Sequence, residues 1–488
     1  MRNAEHWKWG GFAVFLLGFL WLYFYLGTHL VYQTNRDRLN WDQQHNINLA
    51  FRTAERAEQG IQPGESITAV MWRAFPHYTD GVVNPLWPWF AAKFRDTDHE
   101  RFFEKGKWVN LTLSACFLVV LGIISARAFS FLSAPLIVLA CGLGAFLPRA
   151  VYFQPEPIFY IFFFLAWMCA LSLLRKNDVW LYGVLGFLFA LAYLAKGSWQ
   201  PFALVFVGVT LLRSLAAWIR GIWLKKEDTR WNLANQFIGL AALITVFAVT
   251  AWPRLSYSNA TFGDPMHSYP GYWMWMDDFN DGAQFMIRYS TKEALTSMDP
   301  ETKPSLSNYL KTHSRDEFFQ RLREGTIKKS KEFFFPPEVK QNRAKTKEWR
   351  QILPQRGWIL IWLFITLIVI SVFHFLAWRN RDQLVWPVGT QSAWWMLLFS
   401  VGVFTVSSLA FGFFEPIGKG DRFMLGLYSP MIVTFIWIVE RFRRQLQRTR
   451  MASIVNLVFA ICMAIPLAVI AFRVVQLLDT PLFWAAKR

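Results

Sequence analysis

A carboxylate and an imidazole stand close together where the chain leaves its first hydrophobic run. Residues 40–52 read NWDQQHNINLAFR and follow the run Gly10 to Leu30, which is long enough to cross a bilayer. A carboxylate held at a membrane surface can take the proton of a hydroxyl group. Asp42 could equally cap the helix that the next residues predict. His45, three residues on and near the same helical face, could assist a base or simply be solvated.

The composition indicates an integral membrane protein. Of 488 residues, 54% are hydrophobic and only 17% are charged, which is too apolar for an ordinary soluble enzyme. The formal net charge of +18 could suggest nucleic acid, but basic residues beside hydrophobic spans orient a protein and meet anionic lipid. We therefore expect no nucleic-acid partner. The four cysteines lie in apolar runs without CxxC spacing, so neither a disulfide framework nor a zinc site is predicted.

Eleven hydrophobic runs fit, or nearly fit, the roughly 20 residues that a helix needs to cross a bilayer. They are 10–30, 108–125, 131–147, 157–174, 179–195, 199–212, 234–253, 357–377, 392–411, 423–440 and 453–472. The sixth run falls short of this length. The first run lacks a small-residue cleavage site, so it is interpreted as an anchor. The sequence thus predicts an all-α polytopic membrane protein.

The distribution of Lys and Arg predicts an orientation for these spans. With the N-terminus in the cytoplasm, the short inner segments hold most of the basic residues and the short outer loops hold few, as the positive-inside rule requires. Two long segments, residues 31–107 and 254–356, then lie outside. Apolar residues recur at helical spacing early in the first of them, at Ile47, Ala50, Phe51, Ala54 and Ala57.

This spacing predicts a helix on the membrane surface that ends near Gly60 and Pro63. Residues 84–94, NPLWPWFAAKF, predict a second surface segment that is rich in aromatic residues. Two such segments would cover a cavity at the membrane face.

Several motifs, taken in order, resemble the GT-C superfamily of integral-membrane glycosyltransferases. The group concerned includes protein O-mannosyltransferases and the bacterial enzyme that adds aminoarabinose to lipid A. Asp42 follows the first span, NPLWPWF is similar to a Pro-Pro-Leu-Tyr-like segment, and FQPEPIFYIFFFLAW is similar to a Glu-Pro entry to the fourth span. LAYLAKGSWQP resembles a Thr-Lys-Gly-Pro-type turn, and DRFMLGLYSP resembles a late Arg-Tyr-x-x-Pro-type span.

The sequence also departs from that pattern. Family members frequently place a second acid beside the first, whereas Gln43 and Gln44 follow Asp42 here. A metal site built on paired carboxylates is therefore not supported, so no cofactor is assigned and a divalent metal stays an open alternative. Asn84 stands where the family often has His or a second Pro, so no chemical role is given to it.

The resemblance implies a GT-C fold of about 11 transmembrane helices with periplasmic surface helices. It divides the chain into a GT-C-like transmembrane module (1–253), a second periplasmic subdomain (254–356) and C-terminal transmembrane helices (357–488). It implies an inverting transfer of one sugar from a polyprenyl-phosphate-linked donor to a hydroxyl of a glycan, lipid or protein acceptor. The implied location is a bacterial inner membrane, with the active site facing the periplasm.

Under this resemblance Asp42 is the catalytic base, and Lys196, Arg422 and Arg149 are the candidate ligands of the donor phosphate. Cations at that position stabilise the charge that grows on a departing phosphate, and Arg can bind it through two hydrogen bonds. Each cation could also simply extend toward lipid headgroups. Glu156, at the outer mouth of a span, is a candidate for positioning the acceptor or pairing with Arg149 or Lys196.

The second outer segment begins with an aromatic and acidic stretch, FGDPMHSYPGYWMWMDDFND. His267, Tyr272 and Trp273 are candidate substrate contacts there, since aromatic rings stack on sugars. The same residues could instead anchor the segment at the membrane interface.

Two other functions fit part of the sequence. A glycan ligase or polymerase that uses a diphosphate-linked lipid would have a large late outer loop, and residues 254–356 partly meet that condition. A lipid or sugar transporter would be expected to show internal repeats or broken helices near the midplane, and no convincing repeat is present.

Overall fold

The structure is a computed structural model, and it describes residues 2–33, 38–39, 41–59, 65–66, 69, 73–224, 228–335, 356–379, 391–418 and 420–479. The ordered elements within these ranges are helices, with no strand among them. The first nine helices are α1 (Arg2–Gln33), α2 (Trp41–Glu58), α3 (Leu86–Ala92), α4 (His99–Ala128), α5 (Ser133–Ala150), α6 (Glu156–Arg175), α7 (Val179–Ala195), α8 (Gln200–Leu224) and α9 (Asp228–Phe262). A π-helical turn, Gly142–Phe146, interrupts α5.

The remaining helices form the second long segment and the last part of the bundle. They are α10 (Tyr269–Trp273), α11 (Phe279–Arg288), α12 (Lys292–Thr296), α13 (Leu306–Thr312), α14 (Arg315–Phe334), α15 (Arg356–Arg379), α16 (Gln391–Phe413), α17 (Tyr428–Leu446) and α18 (Ala452–Leu478). Two 3-10 turns, Asp421–Phe423 and Leu425–Leu427, precede α17.

Ten helices of the described chain are long and apolar enough to cross a membrane, and α7 is apolar but shorter. Together they match the eleven predicted runs, so the prediction of a polytopic all-helical membrane protein is confirmed at this level. The expectation that the sixth run is the short one is wrong, because Gly197–Ile219 is a candidate span of 23 residues. The predicted run ends at residue 212, whereas the helix continues past Arg213, whose guanidinium donates to Leu173 O at 3.0 Å.

Contacts between helix termini define two ends of the bundle. At one, Asp42 at the start of α2 forms an ion pair with Arg422, just before α17. We call this the Asp42 end. At the other, Glu440 near the end of α17 accepts hydrogen bonds from Ser130 N and from Ser133 Oγ, both at 2.8 Å. We call this the Glu440 end.

Basic side chains bind helix termini at the Glu440 end. Arg444 donates to Ala128 O, at the end of α4, at 2.6 Å, and Arg443 pairs with Glu440 at 3.1 Å. Arg213 binds the last turns of α6 in the same way. The short segments rich in Lys and Arg therefore join the helices at this end.

The helix predicted early in the first segment is present as α2, with Ile47, Ala50 and Ala54 buried as expected. These side chains face a small core that includes Trp87 of α3. Ala57, predicted on the same face, is exposed. The predicted end near Gly60 and Pro63 lies outside the described residues. The segment 84–94 contributes α3, so both predicted surface segments are helical and pack together.

The second long segment is attached to the bundle through Arg321 of α14. Its guanidinium donates to Phe413 O at 3.0 Å, to Met274 O at 3.2 Å and to Met276 O at 2.7 Å. One arginine therefore joins α14, α16 and the turn after α10. Close packing of α14 on α16 adds to this, since a Cβ added at Gly325 would lie 2.0 Å from Gly412 O.

The arrangement predicts that the Asp42 end lies outside the cytoplasm, because basic residues collect at the opposite end. Alkaline phosphatase fused after Glu301 should be active, and the same fusion after Asn177, between α6 and α7, should be inactive. The reverse pattern would contradict this orientation. Activity at both positions would contradict the alternation of the helices between the two ends.

Candidate active site

The first turn of α2 is held against the loop that leads into α6. Gln43 Oε1 accepts a hydrogen bond from Phe153 N at 3.0 Å. Asn110 of α4, fully buried, donates to Tyr152 O at 2.8 Å and to Gln154 O at 2.9 Å. Buried amides that find backbone partners in this way fix a loop without charge. The neighbour of Asp42 is thereby tied to the loop that ends at the first residue of α6.

Asp42 and Arg422 form an ion pair across the site, although 380 residues separate them. Asp42 lies in the first turn of α2, and Arg422 lies in the 3-10 turn before α17. The two side chains are 28% and 26% exposed, so the pair lies at the boundary of the protein interior. Tyr160 of α6 donates its hydroxyl to Arg422 O at 2.9 Å, which fixes the backbone of that turn.

Glu156 and Lys196 form a second ion pair at 2.7 Å. Glu156 is the first residue of α6 and is 3% exposed, while Lys196 directly follows α7. The Lys196 ammonium lies 4.9 Å from the ring centroid of Phe423, and the Arg422 guanidinium lies 5.1 Å from the same centroid. The two ion pairs are therefore neighbours, since a cation of each lies near the same aromatic ring.

Asp421, next to Arg422, binds two guanidiniums at once, the buried one of Arg356 and the partly buried one of Arg149. Its Oδ1 lies 2.5 Å from Arg149 Nη2, and its Oδ2 lies 2.5 Å from Arg356 Nη2. Arg149, predicted to bind phosphate, is thus paired with a carboxylate of the bundle, and that prediction stays a prediction. Gly420 has φ +94°, a backbone conformation that favours glycine. The tight turn that it allows directs the side chains of Asp421 and Arg422 to different partners.

Together these side chains make a site with excess positive charge. Among the residues that the structure describes, four cations face three carboxylates within one cluster, which leaves one positive charge. The cluster members are Asp42, Arg149, Glu156, Lys196, Arg356, Asp421 and Arg422. An excess charge in a half-buried, low-dielectric site attracts an anion strongly.

Sequence reasoning missed Asp421 and Arg356. Both could have been noticed as charged residues at the edge of an apolar run, the signal that singled out Glu156. It also missed Asp80, whose carboxylate lies 2.5 Å from His45 Nε2 and accepts hydrogen bonds from Val82 N and Val83 N at 2.9 and 3.0 Å. No local pattern distinguishes Asp80 from an ordinary turn residue.

The pKa of His45 is set by opposing causes. Burial lowers it, but the hydrogen bond to Asp80 and the charges of Asp80 and Asp42 outweigh burial and the opposing charge of Arg52, so the pKa is raised. Burial raises the pKa of Asp80, yet His45 and two backbone amides lower it below its ordinary value. The two groups thus favour a charged pair that holds α2 to the turn at residues 79–84.

That turn joins three parts of the protein. Asn84 Nδ2 donates to Tyr193 O at 2.6 Å, close to Lys196 at the end of α7. Tyr269 N donates to Gly81 O at 2.8 Å, which brings in the second long segment. Gly81 has φ +84°, and a Cβ there would lie 2.8 Å from the Tyr269 ring, so glycine is required at this position.

His267, Tyr272 and Trp273 belong to an aromatic core of the second segment and not to the charged cluster. His267 is buried and stacks on Phe262 with ring centroids 4.2 Å apart. Burial lowers its pKa to about 4. Within the part of the chain that the structure describes, no hydrogen bond, ion pair or ring contact joins these three residues to Asp42, Glu156, Lys196 or Arg422.

The described residues contain no group of three or more His, Cys, Asp or Glu side chains that could hold a metal ion. The sequence assigned no cofactor and left a divalent metal open, and that alternative stays open.

The His45–Asp80 pair predicts a pH-dependent stability. Because the pKa of His45 is raised, its stabilising effect is complete below the ordinary value of 6.5 and is lost as the pH rises through the raised value. Thermal unfolding in detergent should show His45→Gln to be less stable than the wild type at low pH, with the difference shrinking toward high pH. His313→Gln, whose partner Asp277 lies farther away at 3.4 Å, is the control and should keep the wild-type pH dependence. A pH-independent loss in His45→Gln would contradict the charged pair.

Asp421 should be the most sensitive charge in the bundle. Asp421→Asn leaves Arg149 and Arg356 buried without a carboxylate, and breaking a buried pair in this way costs about 3–5 kcal/mol. Adding Arg356→Met to Asp421→Asn removes one uncompensated charge and should recover part of the loss, as a double-mutant cycle by denaturant unfolding can measure. Equal stability of Asp421→Asn and the wild type would contradict this arrangement.

Comparison with known proteins adds no assignment to this geometry. No protein-family model matches the chain, and no curated protein gives a significant match. A functional assignment therefore depends on the order of motifs in the sequence and on the side chains that the fold brings together.

Proposed function

We propose that the protein is a GT-C-type glycosyltransferase that moves one sugar from a polyprenyl-phosphate-linked donor to an acceptor hydroxyl. One observation carries this proposal. Asp42, Glu156, Lys196 and Arg422 come from four distant segments and lie in two neighbouring ion pairs at one end of an apolar helix bundle. All four were selected from the sequence for this chemistry.

The charge of the site suits a phosphate-linked donor. A sugar phosphodiester carries one negative charge, and the cluster has one positive charge in excess. Arg422 and Lys196 are the cations that we assign to the phosphate, and their common proximity to the ring of Phe423 supports this assignment. The polyprenyl chain would stay in the lipid, since moving it into water is costly for every CH₂ group. A helix bundle that bears its charges at one end suits such a substrate.

In the proposed reaction, the acceptor oxygen forms a bond to the anomeric carbon as the bond from that carbon to the phosphate oxygen breaks. The bonding electrons leave with the phosphate, which gains one negative charge, and Asp42 takes the hydroxyl proton. Arg422 and Lys196 stabilise the added charge on the phosphate. Attack opposite the leaving group inverts the anomeric configuration. A phosphate leaves readily without a general acid, so one carboxylate suffices, in contrast to glycosidases.

The fold supports a base at Asp42 because its helix is fixed on several sides. Within the first turn of α2, Asp42, Gln43 and His45 contact three different segments of the chain. A catalytic group is effective only when it is held near its productive position. We place the Asp42 end on the periplasmic side of a bacterial inner membrane, because basic residues collect at the Glu440 end.

Asp42→Asn tests the catalytic role. The amide keeps the shape of the side chain and can still bind Arg422, but it cannot accept a proton, so turnover should fall by about 10²–10⁴-fold. Mass spectrometry of glycolipids and glycoproteins from cells with and without the gene would identify the product and show whether Asp42→Asn restores it. Asp96→Asn, a partly buried acid of the same segment paired with Lys105 away from the site, is the control and should restore the product fully.

Normal product formation by a folded Asp42→Asn protein would rule out Asp42 as the base. If deletion of the gene changes no glycolipid or glycoprotein, the glycosyltransferase assignment itself is wrong. A product carrying a whole oligosaccharide would favour the ligase or polymerase alternative.

A further inference from the structure

Each cation that we assign to the donor phosphate is already bound to a carboxylate. Arg422 Nη1 binds Asp42 Oδ2, and Lys196 Nζ binds Glu156 Oε1 at 2.7 Å. Phosphate oxygens and carboxylate oxygens accept the same N–H donors. A phosphate that uses these cations must therefore either displace the carboxylates or share the cations with them.

The two pairs differ in how easily they can exchange partners. Asp42 is 28% exposed, so it can be solvated after it leaves Arg422. Glu156 is 3% exposed, and its Oε2 is buried without a hydrogen-bond partner among the described residues. Removing Lys196 from Glu156 would leave a buried carboxylate unpaired, which is strongly unfavourable. Replacing the carboxylate by a phosphate is therefore much less costly at the Arg422–Asp42 pair than at the Lys196–Glu156 pair.

The surroundings of the two cations are consistent with the same conclusion. An ammonium carries three N–H groups and a guanidinium carries five, so donor number limits neither cation, and it is the burial of Glu156 that keeps Lys196 paired with it. The Arg422 guanidinium is directed at Asp42, and its Nε is buried without a hydrogen-bond partner among the described residues. Its backbone is fixed by Tyr160 and by the neighbouring Asp421. Only the side chain can turn, and turning it toward a phosphate uncovers Asp42.

We propose that the phosphate of the lipid-linked donor binds by displacing Asp42 from Arg422, while Lys196 keeps Glu156 and adds the phosphate as a second partner. This proposal rests on the proposed function. Arg422 covers Asp42 Oδ2, one of the two oxygens that could receive the acceptor proton. The exchange uncovers it once the phosphate is in place. Donor binding thus prepares the base, and the donor binds before the acceptor.

The proposal makes a prediction opposite to that of a site in which Asp42 only catalyses. If Asp42 competes with the phosphate for Arg422, removing its charge should strengthen binding of the phosphate while it abolishes turnover. We expect Asp42→Asn and Asp42→Ala to bind a polyprenyl monophosphate without sugar about fivefold tighter than the wild type, the effect of losing a partly exposed ion pair. Arg422→Gln should bind it more weakly.

The measurement is titration of the purified, detergent-solubilised full chain with polyprenyl monophosphate, after thermal unfolding has shown each variant to be folded. Asp96→Asn is the matched control, because it removes one carboxylate from the same outer segment but not from the site, and its affinity should equal that of the wild type. Tighter binding by Asp96→Asn as well would show an effect of overall charge and would overturn the exchange.

The outcomes separate the two proposals. Unchanged or weaker binding by both Asp42 variants would overturn the exchange and leave the proposed glycosyltransferase function standing. Failure of the wild type and of every variant to bind polyprenyl monophosphate would overturn both. Tighter binding by both Asp42 variants, with Arg422→Gln weakened and Asp96→Asn unchanged, is the result that the exchange requires.

Discussion

The arrangement at the Asp42 end depends on one constraint, which is that charges at the edge of an apolar bundle must be paired. An isolated buried charge costs several kcal/mol even after the protein relaxes. Asp421 meets this constraint for two guanidiniums at once, those of Arg149 and Arg356. It thereby links the end of α5 and the start of α15 to the turn before α17. The ion pairs that we assign to catalysis, Asp42–Arg422 and Glu156–Lys196, depend on the position that Asp421 fixes.

The turn from Gly420 to Phe423 connects the ion pairs of Asp421 to α2. Asp421 points to the guanidiniums of the bundle, while Arg422, one residue later, points to Asp42. Neighbouring side chains diverge in extended backbone as well. Here the 3-10 turn lets the side chains of Asp421 and Arg422 diverge within a short segment at the end of the bundle. Lys329 of α14 donates to Gly420 O at 3.1 Å and so closes the turn from the second segment. The bundle, α2 and the second segment thus meet at four consecutive residues.

Much of this fold could be predicted because a bilayer limits the possible structures. The eleven apolar runs and the helical spacing after Asn46 were sufficient to locate the apolar helices and α2. The sixth run was misjudged because the prediction ended it before Arg213, whereas the helix continues past this residue. Sequence patterns record hydrophobicity well, but they do not show that a neighbouring carbonyl, Leu173 O, can accept the charge.

The sequence predicted which residues form the candidate site better than it predicted which of them contact each other. Motif order selected Asp42, Glu156, Lys196 and Arg422, and these four come together. The pairing of each acid with a particular base could not be predicted, because it depends on the relative positions of helices that are distant in sequence. Asp80 was missed for the same reason, since it acquires its role only from His45 in another segment, whereas Arg356 and Asp421 carried the signal of a charge at the edge of an apolar run but not the identity of their partners.

The aromatic residues illustrate a different limit of sequence reasoning. Both His267 and Phe423 have aromatic or charged neighbours in the sequence, and the sequence favoured the former as a substrate contact. In the structure His267 is buried in the core of the second segment, whereas the ring of Phe423 contacts both cations assigned to the phosphate. An aromatic face attracts cations, so Phe423 can hold Lys196 and Arg422 near each other despite their repulsion. That spacing gives both cations access to a single phosphate, and this follows from the packing of the turn against α7, which local sequence does not record.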